Sequence, residues 1–265
     1  VYDVGTGASP LLAEDGVYPV WSPSGDHLYY TGRPQSSGRP AFRSGPDPGQ
    51  SAEQLYSSAT ERYVRAVLEG SGGDSILILR ENHPDQGRDL LLMRMGPAGA
   101  VPEDVEPSPF LTAEWDEWQA EISPDGRHVA YVSNQEGVER VYLQTFPTPG
   151  ERQVVSPLGG TDPRWAPDGQ SIFYRVGTTF FEVDLRLDPS VAVGDLRRVL
   201  DEPRYQDGGF LVDPNYHVHP DGDRFVHAVC VDGCEDGRGV EGDSDFFIVT
   251  NWFTELLQLT GEAAR

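Results

Sequence analysis

Lysine is absent from the sequence, so all 20 basic residues are arginines, set against 43 acids for a net charge of −23. A surface this acidic repels nucleic acid and anionic lipid, and neither is expected as a partner. It suits a salty environment, an arginine-only genomic bias, or the binding of divalent cations, and composition leaves these open. Cysteine is nearly absent too. The only two, Cys230 and Cys234, share the loop VCVDGCEDG. They either close a short disulfide, which suits an oxidising compartment, or stay as thiols; a zinc site would need two further ligands at sensible spacing. No apolar run approaches the roughly 20 residues of a membrane span. Catalytic signatures are missing as well. There is no G-x-S-x-G elbow, no H-E-x-x-H helix, no glycine-rich phosphate loop ending in lysine, and no kinase catalytic loop. No catalytic residue is therefore expected, although triads scattered along a chain leave no local pattern.

What the sequence does have is a repeated phrase. WSPSGDHLYYTG (21–32), ISPDGRHVAYVSN (122–134), WAPDGQSIFYRVG (165–177) and VHPDGDRFVHAV (218–229) share a Pro-Asp/Ser-Gly step between apolar runs. In Ser123-Pro124-Asp125-Gly126, serine suits the first position of a type I turn, proline the second and glycine the fourth. The flanks are rich in β-branched and aromatic residues, so each unit reads as a β-hairpin with the turn at its tip. With Ser71-Gly72-Gly73-Asp74 as a degenerate copy, turns fall near 23, 72, 124, 167 and 220, at spacings of 49, 52, 43 and 53 residues.

A period of roughly 40 to 50 residues with several short strands per unit predicts a β-propeller. Third strands are expected at AFRSG, DLLLMRM, RVYLQTF, FFEVDLR and FFIVTNW, and fourth strands at 152–156 and 197–201. The predicted fold is all-β: a single propeller domain over 1–265, with five four-stranded antiparallel blades visible and a C-terminal tail at 254–265. Blades bury both faces against their neighbours, so Trp21, Ile122, Trp165 and Val218, just before the turns, are expected to pack between blades. By count the last unit is short of an outer strand, and ASPLLA (8–13) is expected to supply it and remove an exposed edge. The first residues, VYDVGTG, read as the middle of a strand, so a fragment or mature form is expected, and a longer native chain would hold six or more blades.

The stretches ENHPDQGRDLLLM (81–93), EWQAEISPDGRHVAYVSN (117–134), VYLQTFPTPGERQVVSPLGGTDPRWAPDG (141–169) and NWFTEL (251–256) carry a resemblance. The repeat resembles the TolB-type, WD-repeat-like propeller of bacterial proteins. It is most similar to the C-terminal propeller of bacterial transmembrane serine/threonine protein kinases and their stand-alone relatives. The resemblance spans nearly the whole chain and is loose between 33 and 62. It implies an extracytoplasmic sensor or protein-interaction domain of the cell envelope, with a protein or small-molecule ligand. The chain departs from the full kinases in carrying no kinase motifs.

Four groups of residues are candidates for function. Val20, Glu121, Arg164 and His217 stand at one repeat position, two residues before the turn, and are expected to face a central channel and any ligand in it. His217 and His219 share a strand face, an arrangement that can also hold a metal. Trp115 and Trp118 flank an acidic pair, and one exposed there would anchor a partner. The loop 232–245 gathers Asp232, Asp236, Asp243 and Asp245, a calcium-like set, although cysteine stands at the third position and aspartate replaces the final glutamate. Its plainer reading is a solvated acidic loop with no cofactor. The leading expectation is a non-catalytic binding or sensing module. The alternatives are a propeller enzyme, a glycan lyase or hydrolase, and a structural protein that assembles edge to edge with its own copies.

Overall fold

The computed structural model describes residues 16–35, 38–47, 50–70, 74–83, 87–96, 106–202, 216–219, 222, 225–228 and 246–249. Among them no helix is long and apolar enough to cross a membrane. The expected turn copy at 71–73, the strand ASPLLA, the NWFTEL terminus and the tail at 254–265 lie outside the described residues.

Among the described residues nineteen strands form five antiparallel sheets in chain order. The first sheet holds β1 (Gly16–Trp21), β2 (Leu28–Gly32), β3 (Arg39–Ser44) and β4 (Glu53–Ser58). The second holds β5 (Glu61–Glu69), β6 (Ser75–His83), β7 (Gly87–Met95) and β8 (Ser108–Leu111). The third holds β9 (Glu117–Ile122), β10 (His128–Ser133), β11 (Arg140–Thr145) and β12 (Gln153–Val154). The fourth holds β13 (Thr161–Trp165), β14 (Ser171–Val176), β15 (Thr179–Arg186) and β16 (Ala192–Asp201). The fifth has three strands among the described residues: β17 (Tyr216–Val218), β18 (Phe225–Ala228) and β19 (Phe246–Val249). The chain is an all-β propeller of four-stranded antiparallel blades. The chain divides into two compact units, Val1–Ala120 and Glu121–Arg265.

The repeated turn does the work that its residue types imply. The Gly126 amide donates to the Ser123 carbonyl at 2.9 Å, and Ser123 and His128 close the hairpin through a second backbone bond of 2.9 Å. The Ser123 hydroxyl accepts the His128 amide at 2.9 Å and donates to Asp125 Oδ1. Asp125 Oδ1 in turn accepts the Arg127 amide at 3.0 Å. Gly126 takes φ 72°, which favours a residue without Cβ. Ser22 to His27 repeats both backbone bonds, as does Ala166 to Ser171. Eight residues after each turn start stands an aromatic paired across the hairpin to another: Tyr30 with Phe42, Tyr131 with Tyr142 and Tyr174 with Phe181. These pairs stack at 5.3, 5.8 and 5.6 Å and lock the register of the second and third strands.

Packing runs between neighbouring blades within each unit. Every residue of β2 and of β10 is buried, the burial expected of a strand covered on both faces. In the first unit Tyr29, Ala41 and Leu55 pack with Val64, Leu77, Leu79, Leu91 and Met93. In the second, Phe173, Phe180 and Val199 pack with Tyr216, Val218 and Phe225. Phe180 meets Tyr216 edge to face at 5.0 Å.

Three details differ from expectation. β12 is two residues long, because the amides of Val155 and Ser156 both turn to the Val141 carbonyl while the Ser156 hydroxyl accepts the Val141 amide, which ends the ladder. β16 begins five residues earlier than expected and absorbs its extra length in two register shifts against β15. Trp21 is 44% exposed, whereas Trp165 is buried and its indole N–H donates to the Glu121 carbonyl of the preceding blade at 3.1 Å. Trp21 ends the first described strand, and no earlier described strand covers it.

Candidate functional site on the first strands of the blades

The first strand of a blade carries a local distortion. Tyr18, Gln119 and Asp162, each four residues before its turn, have φ of 55°, 52° and 59°. β1 and β13 show a register shift at this point, between Val17 and Val20 and between Thr161 and Arg164. A non-glycine residue in the left-handed region is uncommon, and here it builds a bulge that re-aims the side chains after it. The positions predicted to face a ligand follow two residues later.

In the second unit three of those positions are brought together. Arg164 Nη1 lies 3.6 Å from Glu121 Oε2, and Arg164 Nε donates to the Tyr216 carbonyl at 3.1 Å. His217 is the next residue of β17, and it stays exposed. Its Nδ1 is 2.8 Å from the Val218 carbonyl. A carbonyl only accepts, so Nδ1 carries the proton and Nε2 is left as an acceptor on the neutral ring. The Tyr216 hydroxyl donates to the Asp162 carbonyl at 2.6 Å, and the buried Asp162 carboxylate pairs with Arg175. The bulge, the guanidinium and the strand that carries His217 are thus one hydrogen-bonded unit.

The electrostatics follow from this packing. Burial raises the Glu121 carboxyl to about 7, opposed by the Arg164 charge and the Trp165 amide. Its Oε2 has no hydrogen-bond partner among the described residues. Partial desolvation, with Arg164 as a second cause, holds the His217 imidazole below its ordinary value. The row therefore offers a carboxyl that changes charge near neutrality, a fixed guanidinium and an imidazole acceptor. Such groups can hold a polar or cationic group and exchange protons with it.

Other candidates are placed differently. Val20 is half-buried and packs against the core of the first unit, which takes its side chain out of the polar row. Trp118 is 3% exposed beneath the Arg88 guanidinium, 4.3 Å from its ring. It is core, and that removes it from the surface as an anchor. Trp115 is half-buried. His219 follows β17, and its carbonyl accepts the Gly222 amide of the turn at 2.8 Å. Asp232, Asp236, Asp243, Asp245, Cys230 and Cys234 lie outside the described residues. Among the described residues no three His, Cys, Asp or Glu side chains converge as a metal site would require.

Sequence reasoning missed Glu69, which occupies the same repeat position before the degenerate turn. Its Oε2 accepts the Ser24 amide of the neighbouring turn at 3.1 Å. The constant offset of two residues was the signal that would have found it. The Asp162–Arg175 pair and the Tyr216 hydroxyl had no comparable signal.

No family model matches the chain, and no curated protein matches it. Solved structures do. TolB from Acinetobacter baumannii superposes with a TM-score of 0.56 at 13% identity, covering 82% of this chain and 49% of that one. This chain thus spans about half the length of that relative. A putative TolB from Agrobacterium tumefaciens gives 0.53 at 19% identity, over 87% and 74% of the two chains. An oligogalacturonate lyase in complex with manganese gives 0.53 at 15% identity, over 84% and 61%. At these identities the likeness shows the fold alone: a β-propeller of the kind found in TolB proteins, and one also found in enzymes.

Proposed function

We propose that this chain is a non-catalytic binding or sensing propeller of the bacterial cell envelope. It holds a protein or small-molecule partner at the ligand-facing row Glu121, Arg164 and His217. The observation that carries this reading is the row itself. One repeat position, in three successive blades, presents a carboxyl, a guanidinium and an imidazole tied through Arg164 and the Tyr216 carbonyl. A scaffold that repeats while one offset changes its chemistry suits recognition. The TolB likeness supports an interaction module. The sequence resemblance adds the finer reading: the extracytoplasmic end of a transmembrane serine/threonine kinase, or a stand-alone relative of such a domain.

The test is photo-crosslinking from a reactive residue placed at His217, in envelope fractions of the source bacterium. A defined partner captured by the otherwise unaltered chain and lost in Arg164→Met supports the proposal. Lyase or hydrolase turnover by the purified chain on acidic glycans, abolished by His217→Ala, would overturn it in favour of an enzyme. The intact mass of the native protein separates the two forms of the reading. A mass several-fold above 29.1 kDa fits the kinase-linked form, and one near it fits the stand-alone form.

A further inference from the structure

The first unit buries an arginine, two of whose nitrogens the described residues leave without an acceptor. Arg80 lies in mid-β6, opposite Tyr63 of β5 and Leu90 of β7. It is 1% exposed. Its Nε and Nη1 meet no hydrogen-bond partner among the described residues. Burial bears most on its charge and lowers its affinity for a proton; the Tyr18 hydroxyl, which also accepts a hydrogen bond from it, the Tyr63 hydroxyl and the like-charged Arg88 follow. Such surroundings are unexpected in a chain with 43 acids and 20 arginines. Most buried or half-buried arginines here do find an acid, as Arg62 finds Glu81 and Arg175 finds Asp162.

The surroundings of Arg80 are a cationic cluster built on two rings. Tyr18 and Tyr63 meet edge to face at 5.1 Å. Arg80 Cζ stands 4.6 Å from the Tyr63 centroid and 5.7 Å from that of Tyr18. Arg39 shares the Tyr63 ring at 4.8 Å, and Arg65 shares the Tyr18 ring at 5.0 Å. Among the described residues Glu61 is a neighbouring acid, 3.8 Å from Arg39, and its Oε2 accepts the Tyr63 hydroxyl and the Asn82 amide, both at 3.3 Å. Ring faces compensate a guanidinium only in part, and buried donors without acceptors are costly. Tyr18 reaches this place because its left-handed φ belongs to the β1 bulge. Arg39 and Arg65 are half-buried, so the cluster runs from solvent inward to Arg80.

We propose that Tyr18, Arg39, Tyr63, Arg65 and Arg80 form a binding site for a small oxyanion, a carboxylate, sulfate or phosphate group. Arg80 donates its Nε–H and Nη1–H to the anion, Arg39 and Arg65 supply charge, and the tyrosine rings hold the guanidiniums in place. The site is separate from the Glu121 row and requires nothing of it.

The experiment follows the arginine Nε–Hε resonances of the isotope-labelled full chain while chloride is exchanged for sulfate at constant ionic strength. The expected result is a saturable shift of the Arg80 resonance and a rise in the thermal midpoint. Arg80→Met and Arg80→Gln, checked for fold by circular dichroism, are expected to weaken sulfate binding at least tenfold, the loss of a charge-assisted donor set. Phosphate and acetate arms, and a tripeptide compared with its C-terminal amide, identify the source of the anion. Competition by the free-acid peptide alone points to a chain terminus, and competition by the inorganic ions points to a free anion; both support the site. An Arg80 resonance unmoved by millimolar sulfate, phosphate and acetate overturns the proposal, as does unchanged sulfate affinity in Arg80→Met. The unsubstituted chain decides the matter even if neither variant folds.

Discussion

Replacing Glu121 by glutamine should make the protein more stable at neutral pH and change how its stability depends on pH. The carboxyl titrates near 4.5 in an unfolded chain and at about 7 in the folded one, because burial penalises the charged form more than Arg164 rewards it. Between those values the native state keeps a proton that the unfolded chain has released. Stability from this group is therefore complete below pH 4.5 and is lost as pH rises through about 7. The full interval corresponds to about 3 kcal/mol. The side chain is 21% exposed and Arg164 Nη1 is 3.6 Å away, so some solvent screening remains. We expect about 2 kcal/mol to be visible. Glutamine keeps the volume and an acceptor for the Trp165 amide but cannot ionise.

The assay is urea unfolding of both proteins at several pH values from 4.5 to 8, followed by tryptophan fluorescence. Trp165 serves as a local reporter, because its indole donates to the Glu121 carbonyl. The stability difference between Glu121→Gln and the parent should grow in the variant's favour as pH rises, by about 2 kcal/mol overall. Other carboxyls contribute equally to both proteins and cancel. A flat difference across the range would refute the argument. A difference growing in the opposite sense would mean that the Arg164 ion pair outweighs burial.

Further outcomes follow from the same geometry. Ser123→Ala removes the acceptor of the His128 amide and the donor to Asp125, and should cost about 1 kcal/mol in urea unfolding. Asp162→Asn tolerates the left-handed backbone but removes the carboxylate charge beside the buried Arg175, and should cost about 3 kcal/mol. A recovery of stability in the double variant with Arg175→Met would trace that cost to the buried charge. Gly160→Ala would place a Cβ 2.7 Å from Tyr174 Cδ2 and 2.9 Å from the Arg175 carbonyl at φ 144°, and should lower the thermal midpoint sharply. Arg164→Met removes a like charge from beside His217, so the imidazole should titrate at higher pH by NMR; an unchanged or lower value would show that the Arg164 charge does not act on it.

The fold was legible because its signals are local. Proline, aspartate and glycine at a turn act through neighbours in sequence, and alternating aromatics mark the hairpin behind it. The left-handed backbone at Tyr18, Gln119 and Asp162 was not legible. Three different residue types adopt one strained conformation there, and only aspartate among them has an intrinsic tolerance for it. Arg80 was hidden for a similar reason. In SILILREN it reads as the polar end of a strand, yet it lies beneath two tyrosines contributed by other strands. Trp115 and Trp118 offered one exposed anchor between them without saying which, and Arg88, thirty residues earlier, covers Trp118. Long-range pairing decides such cases, and no local pattern records it.

The repeat also separates what folds the blade from what the blade can present. Positions at fixed offsets, the first turn residue and the aromatic eight residues on, are bonded or stacked within their own blade. The position two residues before the turn is Val20, Glu69, Glu121, Arg164 or His217, and no single residue type is needed there to close the hairpin. Its side chains instead reach a neighbouring turn, a neighbouring strand or solvent. That freedom is what allows one blade geometry to carry different chemistry in successive copies. The contrast between two substitutions tests it directly. Ser123→Ala should weaken the fold at every pH, while Glu121→Gln, two residues earlier, should strengthen it at neutral pH and alter the site. Equal losses from both would mean that the row is part of the scaffold, and the case for a tunable binding surface would fall with it.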